Sequence, residues 1–492
     1  MGEGGTRSRL DPPAGRSYTP RTMANYRRRR WRESMAVHLD LNGLLAATVG
    51  ADGVAPEDLA TLEPALGRVR AELAARRATG GLEFADLPYR RDDVRRVIEV
   101  ATAARGEFDT LVVLGIGGSA LGASAICAAL AGQTSGLHIV IADAIDPETF
   151  GTLLEQLDLR RTLFNVVSKS GETAETMAQF LIVRDRLLRE LGAVDYKRHL
   201  LVTSDAQQGA LRQIVNDEGF RALPIPTAVS GRFSVLSTVG LFPAAAAGVD
   251  VEELLAGAAS MDERSKAAAT PLADPPLALG GLLWQLATSR QKTIVVLMAY
   301  CDRLAATADW FCQLWAESLG KAVDLDGRTV EWGQTPVGAL GTSDQHSQLQ
   351  LYLEGPRDKA VVFLRLEDHG TSVDVPATYQ DLASVGYLGG HSLGELLNAE
   401  QRATELALAK RGRPSATLTL PALNAFTLGQ LFYLCQMATV AVGALAGIDP
   451  FGQPGVEEGK RLAWGLMGRP GFEASRAEVE AWLARKDARF VI

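Results

Sequence analysis

The stretch LFNVVSKSGETAET, at residues 163–176, decides the fold of this chain. Its apolar start is typical of a buried strand, and residues 177–188 have the pattern of a helix. Between them stand a glycine and the hydroxyl side chains of Ser168, Ser170 and Thr173. Such a turn aims hydroxyl and backbone N–H groups at one point beside the positive end of a helix, which favours a phosphate group. Because G-x-x-x-x-G-K-[ST] is absent, a small phosphate ester is the predicted ligand, and an ordinary Ser/Thr helix cap is the alternative.

A second glycine-rich loop, GIGGSALG at 115–122, follows another apolar run. It can also be read as G-x-G-x-x-A, with Asp143 as the ribose-binding acid of a dinucleotide-binding fold. That interpretation leaves residues 168–176 without a function. Two phosphate-type loops in succession favour a sugar phosphate instead.

Apolar runs alternate with helical segments through most of the chain, which predicts an α/β protein with parallel sheets covered by helices. The predicted strands span residues 111–114, 138–142, 163–167, 200–202, 293–297 and 361–364. A change of composition at 266–276 marks a boundary, after which the order strand, loop, helix begins again. Both phosphate-type loops follow predicted strands, at the edge where parallel α/β sheets bind their ligands.

Length and composition limit the class of protein. A chain of 492 residues is long enough for two domains, and 47% hydrophobic with 22% charged residues is typical of a water-soluble globular protein. The net charge of −8 argues against nucleic-acid binding, and the apolar stretches are too short or interrupted to predict a membrane span. The four cysteines form no CxxC pair, which argues against disulfides and a zinc site and predicts a cytoplasmic protein.

The first 34 residues differ from the rest because Gly, Pro and Arg dominate, with consecutive arginines at 27–30. An Arg-rich, acid-poor start is compatible with an organelle transit peptide or an anionic partner. Charge runs of this kind are usually solvated, so we interpret residues 1–34 as a disordered tail.

Six blocks of sequence, in the same order and with similar spacing, resemble the glucose-6-phosphate isomerase (phosphoglucose isomerase) family, short bacterial type. The blocks are residues 115–122, 168–176, 230–234 (SGRFS), 313–321 (QLWAESLGK), 341–346 (GTSDQH) and 453–460 (QPGVEEGK). The resemblance implies two sugar-isomerase (SIS) domains with doubly wound parallel sheets, at 80–265 and 275–450. Helical segments at 35–80 and 451–492 flank them, and the second one completes an active site between the domains.

The resemblance implies reversible isomerisation of glucose 6-phosphate to fructose 6-phosphate through ring opening and a cis-enediol(ate), without metal or cofactor. Such a reaction needs a base that moves a proton between neighbouring carbons and a donor that stabilises the oxyanion. The matching blocks imply Glu317 as the base and Arg232 as the group that holds the enediolate. Glu317 shares one helix face with Gln313, four residues earlier, and its apolar neighbours favour a partly desolvated carboxylate.

The resemblance also implies the ring-opening and binding residues. His346 opens the ring together with Lys460, and His346 comes from the neighbouring subunit, which implies a homodimer. Without the family match, His391 competes with His346 for this role. The residues implied to bind the substrate are Gly118, Ser119, Ser168, Lys169, Ser170, Thr173, Gly231, Gln313 and Gln453.

Other functions stay open on sequence grounds. A non-catalytic SIS-domain sensor of sugar phosphates needs the phosphate loops but not the four catalytic candidates together. An NAD(P)-dependent oxidoreductase would use residues 115–120 with Asp143. Isomerisation of mannose 6-phosphate as a side activity is compatible with the same residues as the main reaction.

Overall fold

The computed structural model describes residues 30–492, so most of the predicted tail at 1–34 lies outside the described residues. Near the start of the described chain, Arg32 donates hydrogen bonds to Glu253 from Nε at 3.0 Å and from Nη2 at 2.9 Å. The Arg32 guanidinium also lies over the Phe426 ring, 5.4 Å from its centroid. The last residues of the predicted tail are therefore held against the body of the protein.

The strands are arranged in two large sheets and one hairpin. In chain order they are β1 (His38–Asp40), β2 (Thr110–Leu114), β3 (His138–Ala142), β4 (Thr162–Val167), β5 (Leu200–Asp205), β6 (Arg221–Ile225), β7 (Ile294–Tyr300), β8 (Lys321–Val323), β9 (Thr329–Trp332), β10 (Thr335–Leu340), β11 (Lys359–Asp368) and β12 (Ser415–Ala422). The first sheet has the order β3-β2-β4-β5-β6 and is parallel throughout. The second has the order β1-β12-β11-β7-β10, with β1 antiparallel at one edge. Strands β8 and β9 form the antiparallel hairpin.

Helices cover both sheets. The α-helices of six or more residues are α1 (Pro56–Ala78), α2 (Arg91–Glu107), α3 (Leu121–Leu130), α4 (Pro147–Gln156), α5 (Ala174–Asp195), α6 (Ala210–Glu218), α7 (Thr238–Ala246), α8 (Val251–Lys266), α9 (Pro275–Arg290), α10 (Ala305–Leu319), α11 (Leu349–Glu354), α12 (Leu393–Lys410), α13 (Ala425–Leu445), α14 (Glu457–Leu466) and α15 (Glu473–Ala484). Because each sheet is covered on both faces, its central strands are almost entirely buried, and this explains their continuous apolar sequences.

Helix α13 illustrates the depth of the core. Among the described residues it is the one helix long and apolar enough to cross a membrane by length and composition, and 83% of its most apolar window is buried inside the protein. Its side chains pack within the main hydrophobic cluster, together with residues of α8 and α9. This burial is that of a core helix.

The predicted α/β class with two doubly wound parallel sheets is confirmed. All six predicted strands exist, but β1, β6, β8, β9, β10 and β12 have no predicted counterpart. Strands β6 and β10 contain a proline and lie at sheet edges, and β1, β8 and β9 have three or four residues, so their own sequences carry a weak strand signal. Apart from β1, the sheets lie within 80–265 and 275–450, and these domain bounds stay a prediction.

Each large sheet has a topological switch point. This is the place between two adjacent strands from which the following connections lead to opposite sides of the sheet. In the first sheet the switch lies between β2 and β4, because β3 follows β2 on its other side. In the second sheet it lies between β7 and β11, because β10 follows β7 on its other side. Crevices at the carboxyl ends of such strand pairs are the usual ligand sites of open α/β sheets.

Candidate active site

The loop after β4, at the first switch point, is held by hydrogen bonds to its own hydroxyl groups. Ser168 Oγ accepts a hydrogen bond from the backbone N–H of Gly171 at 3.0 Å and lies 3.2 Å from Thr173 Oγ1. Ser170 is exposed, and its Oγ accepts a hydrogen bond from the backbone N–H of Glu172 at 3.2 Å. The loop ends where α5 begins, so its hydroxyl groups stand at the positive end of a helix that is regular as far as the bend at Gly192.

The loop after β2 lies against the segment that contains Gly231. A β-carbon added to Gly118 would be 2.2 Å from the carbonyl carbon of Gly231, so this contact requires glycine at position 118. Ser234 Oγ donates hydrogen bonds to the carbonyl oxygens of Gly231, at 2.7 Å, and of Gly118, at 3.2 Å. Ser119 is half-buried on the same short turn, Gly117–Ser119.

Lys169 connects the loop after β4 to the same segment. Its Nζ donates hydrogen bonds to the carbonyl oxygens of Thr227 and Val229, the latter at 3.1 Å. Burial lowers the pKa of Lys169, and nearby carboxylates act against this effect. Since these carbonyls shortly precede Gly231 and Arg232 in the chain, Lys169 helps to fix the position of both residues.

Glu317 lies in the last turn of α10, on the same face as Gln313. Gln313 Nε2 donates a hydrogen bond to Glu317 Oε2 at 3.1 Å, and the same oxygen lies 3.6 Å from Arg232 Nη1. A β-carbon on Gly117 would be 3.0 Å from Gln313 Nε2, so the loop after β2 lies against this helix face. The structure therefore brings the predicted base, its predicted helical neighbour and the predicted arginine together beside a phosphate-type loop.

Arg232 is almost completely buried, whereas Glu317 keeps 25% of its side chain exposed. The guanidinium donates four hydrogen bonds: from Nε to Ser318 Oγ at 2.8 Å, from Nη1 to Gln453 Oε1 at 2.9 Å, and from Nη2 to the carbonyl oxygens of Pro450 at 2.6 Å and Gly452 at 3.2 Å. A guanidinium carries five N–H groups. The second N–H of Nη1 has no acceptor within 3.5 Å among residues 30–492 and belongs to the nitrogen that forms the 3.6 Å ion pair with Glu317 Oε2. Burial lowers the pKa of Arg232 and the Glu317 carboxylate raises it, and arginine keeps its charge under such conditions.

The loop at 449–453 places Gln453 beside Arg232. The Asp449 carboxylate accepts hydrogen bonds from the backbone N–H groups of Phe451 at 3.2 Å and Gly452 at 3.1 Å. These bonds hold the turn whose carbonyl oxygens face Arg232. A segment more than 200 residues away in sequence thereby becomes part of the site.

Sequence reasoning gave no role to Lys321 and Ser318, although both lie in the block that carries Glu317. Lys321 Nζ donates hydrogen bonds to the carbonyl oxygens of Glu317 and Ser318, both at 2.8 Å, and so closes the end of α10. Burial lowers the pKa of Lys321 to about 8, and the charge of Arg232 acts in the same direction. The sequence feature that could have indicated this role is the position of the lysine just after the end of a helix, because lysines there often bond to the last free carbonyl groups.

Lys321 makes the stability of the protein depend on pH in a defined direction. Its pKa is about 8 in the folded protein and 10.5 in an ordinary setting, so the unfolded chain binds more protons between these values and the stability rises with pH there. We expect the wild-type protein to gain stability relative to Lys321→Met between pH 7.5 and 9.5, as measured by urea unfolding. If the stability difference between the two proteins were the same at pH 7.5 and at pH 9.5, this result would contradict the lowered pKa of Lys321.

The other two catalytic candidates lie at the surface of the described chain. His346 is exposed at the end of the turn Ser343–His346, after β10. Lys460 is half exposed on α14, and its Nζ donates a hydrogen bond to Glu457 Oε1 at 2.7 Å. Within residues 30–492 neither side chain forms a hydrogen bond or ion pair with Glu317, and their roles stay predictions. The competing His391 is also exposed, and its Nδ1 lies 3.4 Å from Glu395 Oε2.

The chemical groups at the site are those of a pocket for a polar organic molecule. They are amides, hydroxyl groups, one guanidinium and one carboxylate. Across residues 30–492, no cluster of three or more His, Cys, Asp or Glu side chains is arranged to hold a metal ion. The four cysteines are all free thiols.

Similarity to known proteins agrees with this geometry. The model of the family described as phosphoglucose isomerase matches residues 94–479. The glucose-6-phosphate isomerase of Carboxydothermus hydrogenoformans is 39% identical over 468 residues, which are 93% of this chain and 100% of that protein. The glucose-6-phosphate isomerase of Rubrobacter xylanophilus is 45% identical over 400 residues, 80% of this chain and 90% of that protein.

Two crystal structures resemble the fold. A hypothetical protein of Thermus thermophilus has a TM-score of 0.80 and 39% identity, covering 88% of this chain and 100% of its own. A glucose-6-phosphate isomerase of Chlamydia trachomatis has a TM-score of 0.70 and 25% identity, covering 80% of this chain and 77% of its own. Neither the sensor nor the oxidoreductase alternative receives support from these relatives.

Proposed function

Because the chain belongs to the phosphoglucose isomerase family, we propose that it interconverts glucose 6-phosphate and fructose 6-phosphate. The observation that carries the proposal is the carboxylate of Glu317 held between Gln313 and the buried Arg232. An assay that couples formation of glucose 6-phosphate from fructose 6-phosphate to NADPH production tests it. A folded protein without turnover in this assay would refute the proposed isomerase activity.

The phosphate of the substrate binds at the first switch point. Ser119, Ser168, Ser170 and Thr173 supply hydroxyl groups. The backbone of Gly118, before α3, and of Lys169, before α5, supplies further groups. This set is supported by the convergence of two loops on one sheet edge and by the helix end beside them. Binding energy gathered at the unreacting phosphate fixes the other end of the sugar for reaction.

Glu317 then moves the proton between the reacting carbons. In the open-chain aldose its carboxylate takes the proton from carbon 2, the carbonyl oxygen on carbon 1 becomes negative, and an enediolate forms. The free N–H on Nη1 of Arg232 faces this region and stabilises the oxyanion, because a fixed donor in a buried setting needs no reorganisation. The hydroxyl proton of oxygen 2 passes to the negative oxygen 1, and Glu317 returns its proton to carbon 1 while the carbonyl forms at carbon 2. Gln313 and Gln453 hold sugar hydroxyl groups.

The ring-opening step requires groups from two subunits of a homodimer. We assign His346 of the neighbouring subunit and Lys460 to the proton transfers at the ring oxygen and the anomeric hydroxyl. The exposure of His346 in the single chain supports a contribution across an interface. A group of exposed apolar side chains elsewhere in the second half of the chain also favours association: Tyr379, Leu382, Val385 and Tyr387. We place the enzyme in the cytoplasm, in the glycolytic pathway.

Mixed dimers test the shared site. Glu317→Gln and His346→Ala chains, each expected to be nearly inactive alone, are co-expressed with different tags and purified as a heterodimer. One of the two sites then receives an intact Glu317 and an intact His346, so about half of the wild-type activity is expected. A heterodimer no more active than its parents would place His346 outside a shared site. A heterodimer of Glu317→Gln with His391→Ala is the control, because His391→Ala alone is expected to stay active.

The phosphate loop is tested by Ser170→Ala combined with Thr173→Ala. Loss of two hydrogen bonds to a charged group, at about 1.5 kcal/mol each, is expected to weaken competitive inhibition by 6-phosphogluconate about 10²-fold. The rate falls as well, since the phosphate no longer positions the sugar. The control is Thr61→Ala with Thr79→Ala, two exposed hydroxyl groups on and after α1. Unchanged inhibitor affinity in the loop variant would move the phosphate site elsewhere.

A further inference from the structure

A crevice of about 430 Å³ opens at the switch point of the second sheet, apart from the residues assigned above. Its lining includes the polar side chains of Arg303 and His369 and the apolar side chains of Val373, Leu393 and Leu397. Its volume lies within the range of small-molecule sites.

The position of the crevice repeats that of the phosphate loops in the first sheet. Arg303 belongs to the turn Asp302–Leu304 directly after β7, and His369 follows the end of β11. Strands β7 and β11 are the neighbours on either side of the second switch point, as β2 and β4 are in the first sheet. The two sheets thus place polar loops at equivalent edges, and the proposed function assigns the first of these edges to a phosphate.

The charge of the lining favours an anion. Arg303 supplies the positive charge of the lining, burial lowers the pKa of His369, and no carboxylate lines the crevice. Asp302 and Asp368, their neighbours in sequence, are exposed and lie outside the lining. Arg303 Nη1 forms one long hydrogen bond, to the carbonyl oxygen of Ala129 at 3.4 Å, so its guanidinium has donors to spare.

A polar atom of the lining lacks a partner. His369 Nε2 is inaccessible to solvent and has no acceptor or donor within 3.5 Å among the described residues, while the Asn398 side chain interacts with the His369 ring. The His369 ring also lies against the beginning of α12, where a β-carbon on Gly394 would be 3.1 Å from His369 Cδ2. Helix α10 begins two residues after Arg303, and α12 begins at Leu393 in the lining, where the Glu395 carboxylate accepts a hydrogen bond from the backbone N–H of Ser392.

We propose that this crevice is a second anion site, which binds a small phosphate ester distinct from the substrate at Glu317. The phosphate group lies between the Arg303 guanidinium and the His369 ring, and the carbon skeleton lies along Val373, Leu393 and Leu397. The arginine supplies the two parallel N–H donors that match a phosphate. The site is about 20 Å from Glu317, because a helix rises 1.5 Å per residue and α10 connects the two.

Equilibrium dialysis of the full chain against labelled inorganic phosphate tests the proposal. The wild-type protein is expected to bind about two phosphates per chain, one at each switch point. Arg303→Gln combined with His369→Gln is expected to bind one, with at least tenfold weaker affinity at the crevice and unchanged isomerase activity. Ser170→Ala with Thr173→Ala removes the other phosphate. Arg95→Gln, at an exposed arginine of α2, is the matched control and keeps both.

One phosphate per wild-type chain that the Arg303→Gln and His369→Gln variant still binds would overturn the proposal, and the same result is expected if a second copy of the chain covers the crevice. Two phosphates in the Arg303→Gln and His369→Gln variant would overturn it as well. Failure of the proposed isomerase function has a different signature, because it appears in the turnover assay of the wild-type protein. The activity of the crevice variant also shows that the variant is folded.

Discussion

Replacement of Glu317 by glutamine lowers kcat for the isomerisation by about 10²-fold or more, as expected when a positioned general base is removed. The amide keeps the shape of the side chain and still accepts the hydrogen bond that Gln313 donates to Glu317 at 3.1 Å. The phosphate loops are untouched, so the inhibition constant of 6-phosphogluconate changes little. The measurement is steady-state kinetics with and without the inhibitor.

The matched control for this variant is Glu99→Gln, at an exposed glutamate of α2. Its kinetic constants are expected to equal those of the wild-type protein. Exchange of the hydrogen on carbon 2 with solvent gives a second readout, because it follows the proton that Glu317 moves. Turnover within a few-fold of wild type, or undiminished exchange at carbon 2, would assign the base to another residue.

Replacement of Arg232 by methionine has the second large expected effect, on both catalysis and stability. Loss of the free N–H beside Glu317 removes one oxyanion donor, which lowers kcat by about 10²- to 10³-fold. The same change leaves the carbonyl oxygens of Pro450 and Gly452 and the Glu317 carboxylate without their cation. Because the carbonyl oxygens lose charged donors inside the protein, the free energy of unfolding is expected to fall by about 3 kcal/mol.

Two further variants separate these effects. Arg232→Lys keeps the charge but lacks the planar set of donors, so it is expected to recover more of the stability than of kcat. Arg189→Met, at an exposed arginine of α5, is the control and is expected to change neither quantity. Urea unfolding and kcat are measured on all three proteins. A folded Arg232→Met protein with nearly normal kcat would exclude Arg232 from the oxyanion site.

Much of the site could be predicted because its parts are local. The strand, hydroxyl-rich turn and helix at 162–195 follow from a short sequence, and so does the shared helix face of Gln313 and Glu317. The role of Lys321 was not predicted, because it depends on contacts between distant parts of the chain. Its low pKa depends on its burial and on the charge of Arg232, which lies 89 positions earlier in the chain and belongs to the other half of the molecule.

The sequence by itself determined the class of fold and the two phosphate-type loops, because these depend on periodicity and residue type within a few turns. The resemblance of its sequence blocks to a known family implied Glu317 as the candidate base. Tertiary structure alone decided that Gly118 lies against Gly231 and that Arg232 takes its acceptors from Ser318 and from the loop at 450–453. These contacts join segments 86 to 221 positions apart. They depend on how whole helices and sheets fit together, and the residues of any one segment do not encode that fit.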